Sequence, residues 1–172
     1  MVISGKSQPF EKGQMVAWHG KEVLDYWSSD QCNTITGRDP SGLPLLVTKS
    51  DTMNLFIGQI CRPLIFQFEK DVTVDDEFEA LRFVPQVNSL SGPDQVPENQ
   101  CYCLEEPCLP SGLLDISGCQ PGSPIYMSWP HFLHADPKVI DGVQGLAPDE
   151  AKHSFIIDML PVRTFETCRG VR

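Results

Sequence analysis

Long apolar runs are missing from this chain. No stretch of its 172 residues approaches the roughly 18 consecutive apolar side chains of a bilayer-spanning helix. The amino terminus, MVISGKSQPFEKG, lacks the apolar segment of a secretory signal peptide. Positive charge is also scarce: 13 Lys and Arg face 23 Asp and Glu, for a formal net charge of -10. That balance excludes the basic face that a nucleic acid or an anionic membrane surface requires. There is no C-x-x-C pair, so a thioredoxin-like redox site is not supported. There is no N-x-S/T sequon either, so this segment offers no acceptor for N-glycosylation. Ser154, His153 and Asp158 have the residue types of a catalytic triad, but nothing resembling a nucleophile elbow surrounds them, and no hydrolase is indicated.

Turn formers, by contrast, are plentiful. Fifteen prolines and 13 glycines predict many reversals and few long helices, in a chain long enough for one domain with a real core. GQMVAWHGKEVLDYW reads as a short strand, a turn at His19-Gly20 and a second short element. LPLLVTKSDTMNLFIGQICRPLIFQFEKDVTV holds two or three strands. Within it Leu64, Phe66 and Phe68 alternate with Ile65, Gln67 and Glu69, the period of a strand with one apolar face. Pro63 sits near the start of that strand, where a missing backbone donor is tolerated. EFEALRFV is a further alternating strand. Asp75, Asp76 and Glu77 mark a solvated hairpin tip, with contact to a protein partner as the alternative. Residues 85–122 are rich in Pro, Gly, Ser, Asn and Asp and predict irregular structure. SPIYMSWPHFL is strand-like, DPKVIDGVQGL reads as a short helix with Pro near its start, and HSFIIDML as a last strand. The fold class is therefore mainly β with a few short helices.

Cysteine is the most informative residue. Cys101, Cys103, Cys108 and Cys119 fall within NQCYCLEEPCLPSGLLDISGC, and Cys32 and Cys61 lie upstream. The spacing C-x-C-x4-C-x10-C matches zinc knuckles poorly, although His131 and His134 form H-x-x-H and, with Asp136, have the residue types of a metal or acid/base site. The remaining option is disulfides, and six cysteines allow fifteen connectivities. Cys101 and Cys103 are a poor pair, since in an extended chain their side chains point the same way but lie too far apart, and Cys103 with Cys108 closes a small loop easily. A loop of about six residues contributes about 2 kcal/mol in the chain-entropy model and one of about seventy contributes about 4, so long bridges from Cys32 and Cys61 would stabilise most. Disulfides require an oxidising compartment. Together with the absence of a signal sequence, this predicts that the chain is a piece of something longer.

WHGKEVLDYWSSDQCNTITGRD followed by ICRPLIFQFEKDV, the CYC and SGLLDISGC segments, and PIYMSWPHFLHADPKVIDGVQGLAPDEAKHSFIIDMLP together resemble the class B scavenger receptor family. The resemblance covers residues 4–161. It implies three bridges, Cys32–Cys101, Cys61–Cys119 and Cys103–Cys108. It implies that residues 1–161 are part of a disulfide-stapled antiparallel β-barrel ectodomain, anchored in a membrane by helices outside this sequence. Residues 162–172 diverge from the family and carry Arg163, Arg169, Arg172 and an odd Cys168. The implied function is non-enzymatic and needs no metal or cofactor. Lipids or lipoprotein particles are bound, and lipid passes through a hydrophobic tunnel toward the bilayer, at the plasma membrane or the lysosomal membrane. The alternative is a lumenal adaptor that binds a protein cargo. Leu64, Phe66 and Phe68 are candidates for the tunnel wall, with ordinary barrel core as the other reading, since period two does not distinguish them. In the same family reading, WPHFLHAD is a structural corner with Pro130 setting the turn. Family members are usually glycoproteins, which this segment, without a sequon, does not support.

Overall fold

The longest regular element is a 13-residue strand, β2 (Arg62–Val74), and the architecture is organised around it. A computed structural model describes residues 1–44 and 46–161. The expectations on residues 162–172 lie outside the described residues. β2 pairs antiparallel with β1 (Thr52–Ile57) on one side and with β3 (Phe78–Pro85) on the other. β6 (Ile157–Met159) joins the far side of β3, giving the order β1-β2-β3-β6. This curled antiparallel sheet makes half of a barrel wall. A smaller two-stranded sheet pairs β4 (Leu114–Asp115) with β5 (Tyr126–Met127).

Sequence chemistry explains the reversals. Between β1 and β2 the chain makes one 3-10 turn over Gly58–Ile60, and Cys61 takes a left-handed conformation at φ 47°. Between β2 and β3, Asp75 and Asp76 both have positive φ, 54° and 57°, and the Glu77 amide donates to the Val74 carbonyl at 3.2 Å. That is the type I′ geometry whose twist matches flanking strands. The acidic cluster thus forms the hairpin tip, exposed to solvent.

The alternation in β2 holds from Arg62 to Phe68. Leu64 and Phe66 are buried and pair with Leu55 and Met53 of β1, while Ile65 and Gln67 are exposed. Phe68 is half-buried opposite Phe83. A register shift between Phe68 and Lys70 then inserts one residue, Glu69. Paired residues share a sheet face, so Val72 opposite Ala80 lies on the face away from Phe83. The bulge therefore ends the apolar stripe at Phe68.

Other segments are less regular than their composition suggests. The two elements expected in residues 13–27 are extended segments held by single bridges, such as Trp18 to Lys21 across His19 and Gly20, both at positive φ. SPIYMSWPHFL is strand only at Tyr126–Met127, because Pro130 opens a 3-10 turn over Pro130–Phe132. Residues 85–122 contain 3-10 turns at Val87–Leu90 and Pro97–Tyr102 and little else that is regular. Helices are brief: α1 (Asp30–Asn33), α2 (Pro137–Asp141) and α3 (Glu150–His153). Only α2 falls within a segment read as helical from sequence, on a Pro near its start and glycines past its end. A four- or five-residue helix has too few turns to show a period.

Candidate functional site

The buried cluster under β2 is tied together by two long disulfides, and a third closes a short loop beside it. Cys32–Cys101, Cys61–Cys119 and Cys103–Cys108 have Cα separations of 6.1, 5.8 and 5.4 Å, within the range such bridges adopt. The first two span 69 and 58 residues and the third spans 5. Trp27 joins the two long bridges: its indole Nε1 donates to the Cys61 carbonyl at 2.8 Å, and the amide of its neighbour Ser28 donates to the Cys101 carbonyl at 3.1 Å. Asn33, buried beside Cys32, fixes this segment. Its Oδ1 accepts from the Tyr26 and Trp27 amides at 3.0 and 2.9 Å, and its Nδ2 donates to the Trp27 carbonyl at 2.8 Å.

The apolar side of this region is the β2 stripe. Leu64 and Phe66 belong to the chain's own packed cluster. Phe68 lies at its margin, edge-on to Phe83 at 6.0 Å between ring centroids, with the Lys49 ammonium 5.6 Å from its own ring centroid. On the neighbouring strands the Arg82 guanidinium makes two bonds to the Asp158 carboxylate, Nε to Oδ1 at 2.8 Å and a terminal nitrogen to Oδ2 at 2.7 Å. Arg82 holds the Asp158 carboxyl below its ordinary value, chiefly through these hydrogen bonds, and is itself raised by them.

Arg62 is the residue that sequence reading overlooks. It begins the same alternation as Leu64 and Phe66, and its side chain is only 6 % exposed. Its guanidinium carbon lies 3.6 Å from the Tyr102 ring centroid, and Tyr102 meets Trp27 edge-on at 5.0 Å. Burial pushes Arg62 below its ordinary value, with the neighbouring Tyr102 opposing the shift. The same burial pushes the Tyr102 hydroxyl up. Extending the period-two pattern one step back from Leu64 would have flagged this arginine on the core face.

The residue sets that imitate catalytic or metal centres are otherwise engaged. His131 and His153 stack at 3.9 Å, and their Nδ1 atoms accept from the Ala147 and Asp149 amides at 3.3 and 3.0 Å. His134 Nε2 lies 3.2 Å from a Glu150 carboxylate oxygen, and Asp136 caps α2 by accepting from the Lys138 amide. These contacts make the WPHFLHAD segment a corner. His153 presents Nδ1 to a backbone amide and Asp158 is held by Arg82, so the two do not form a catalytic relay. Cys103, Glu106 and Cys108 bring donor atoms within 4.8 Å of one another, but the two sulfurs are bonded to each other and are not free to ligate.

A curled β sheet and a disulfide-stapled loop region frame the site, and among the described residues no catalytic set is assembled. The chain belongs to the CD36 family, the class B scavenger receptors, which it matches over residues 1–165. It is 32% identical over 163 residues to "Lysosome membrane protein 2" of Mus musculus, covering 94% of this chain and 33% of that protein. It is 33% identical over 156 residues to "Scavenger receptor class B member 1" of Cricetulus griseus, covering 90% and 30%. It is 35% identical over 162 residues to "Sensory neuron membrane protein 1" of Antheraea polyphemus, covering 94% and 30%. The chain thus spans about a third of the length of these relatives. Among the described residues no helix is long and apolar enough to cross a membrane.

Proposed function

We propose that this chain is one portion of the ectodomain of a lipid-binding scavenger receptor, with residues 1–161 as barrel wall and stapled loop region. The observation that carries the reading is the β2 stripe. Leu64 and Phe66 seal one face of a curled sheet, and Phe68 brings that face to its half-exposed margin. In this reading Phe68 forms the accessible part of an apolar conduit and Leu64 and Phe66 back it. The driving force is physical: an acyl chain gains about 0.8 kcal/mol for each methylene taken out of water. Membership of a receptor family and the disulfides, which require an oxidising compartment, support placement on the extracellular or lumenal side of the plasma or lysosomal membrane. The partners would be lipids or lipoprotein particles.

The test is photo-crosslinking of a diazirine-bearing fatty acid to the complete receptor, followed by peptide mapping. Label concentrated on residues 64–74 is expected, and Phe68→Asp should reduce it severalfold. Label confined to other segments removes Phe68 from the wall. No specific label at all removes the lipid reading.

A further inference from the structure

Arg62 is a buried cation without a counter-ion among the described residues. Its Nε finds no hydrogen-bond acceptor there, and its partner is the Tyr102 side chain, a ring and a hydroxyl rather than a carboxylate. An arginine cannot escape this cost by losing its proton. An uncompensated buried charge costs several kcal/mol, and a desolvated contact with one aromatic ring returns about 2. The Tyr102 side chain, through its ring and its hydroxyl, offsets part of that cost but supplies no counter-charge.

A cavity stands beside it. Arg62, Leu90, Tyr102, Leu104, Leu114 and Tyr126 are among the side chains around a space of about 120 Å³. An apolar cavity of about 150 Å³ accommodates a benzene ring. The space here suits a carboxylate with a short hydrocarbon stem. The guanidinium is a planar fork of donors that matches the two oxygens of a carboxylate, and the leucines match the stem. Two carboxylates, Glu105 and Asp115, also border the cavity. Asp115 is engaged in accepting from the Ser117 amide at 2.8 Å, and Glu105 is exposed. Their negative charge opposes a dianion such as phosphate more than a monoanion.

We propose that the cavity between Arg62, Tyr102 and Leu114 is a binding site for a monocarboxylate, with Arg62 as its anchor. This site is separate from the β2 conduit and stands or falls without it. The carboxylate group is supplied either by a free short-chain acid or by the head of a longer amphiphile whose tail leaves through the cavity mouth.

The test is thermal unfolding of the complete disulfide-bonded chain in sodium propionate against sodium chloride at equal ionic strength, with the summed emission of its three tryptophans as a second reading. Propionate at about one hundred times its dissociation constant should raise the wild-type midpoint by roughly 5–10 °C. R62M should abolish that rise. In chloride, R62M should melt no lower than wild type, because it removes a charge that lacks a counter-charge. If R62M does not fold, R62K serves instead. It keeps the charge but loses the fork, and should bind propionate at least tenfold more weakly. Decanoate binding at least tenfold tighter than propionate assigns the site to amphiphile heads; equal affinities assign it to free acids. The proposal is overturned if propionate leaves wild type unchanged, if R62M or R62K responds as wild type does, or if phosphate stabilises as well as propionate.

Discussion

Phe83 and Phe68 face each other across β2 and β3, yet they differ in what they hold. Phe83 is fully buried, and Phe68 is half-buried at the margin. Truncating Phe83 to Ala should cost about 3–5 kcal/mol, whereas Phe68→Ala should cost less than half as much. Urea titrations of the two variants followed by circular dichroism measure the difference. The Arg82–Asp158 pair carries a pH signature. Asp158 titrates lower in the folded chain than in the unfolded one, because Arg82 bonds its charged form. Its contribution is therefore complete above the unfolded value of about 3.9 and is lost as pH falls through the folded value. Arg82 is charged throughout this range and adds no slope. Asp158→Asn should lower stability by about 1 kcal/mol at neutral pH, and the gap from wild type should close below about pH 4. Arg62 shows what was hard to read at this scale. Its burial follows from strand parity, but its position among Tyr102 and Trp27 depends on contacts across residues that composition marks only as irregular.

Among elements, the hairpin between β2 and β3 was the most legible. Alternation on both arms and an acidic, turn-forming tip specify it from local sequence alone. Its turn is not optimal, since Asp75 and Asp76 both hold positive φ, where Asn-Gly is preferred. The double change Asp75→Asn with Asp76→Gly should raise stability by about 1 kcal/mol, read as an upward shift of the denaturation midpoint with an unchanged slope. The bulge at Glu69 was not legible. One inserted residue leaves composition unchanged while moving Val72 and Val74 to the other face. Helices α1 and α3 escape the sequence for a related reason: both are single turns set by tertiary context, and α3 adds an Asp149 cap accepting from the Ala151 amide. The strand expected through SPIYMSWPHFL fails at Pro130, where the chain turns into the corner that stacks His131 on His153.

At the scale of the whole molecule, six cysteines left fifteen connectivities open on spacing alone. In the structure the two long bridges interleave: Cys61 lies inside the loop closed by Cys32–Cys101, and Cys101 lies inside the loop closed by Cys61–Cys119. The overlap joins the region before β1, the whole hairpin and the irregular segment into one covalent unit. Its consequence appears when the backbone is cut. A protease that nicks the chain once anywhere between Cys32 and Cys119, in the irregular loops above all, releases nothing, because at least one bridge spans every such position. Limited digestion should leave a single band of undiminished mass on a non-reducing gel and two fragments after reduction. Fragments that separate without reductant would show that the bridges do not interleave. A segment built this way can be cut at its surface and still keep its parts together.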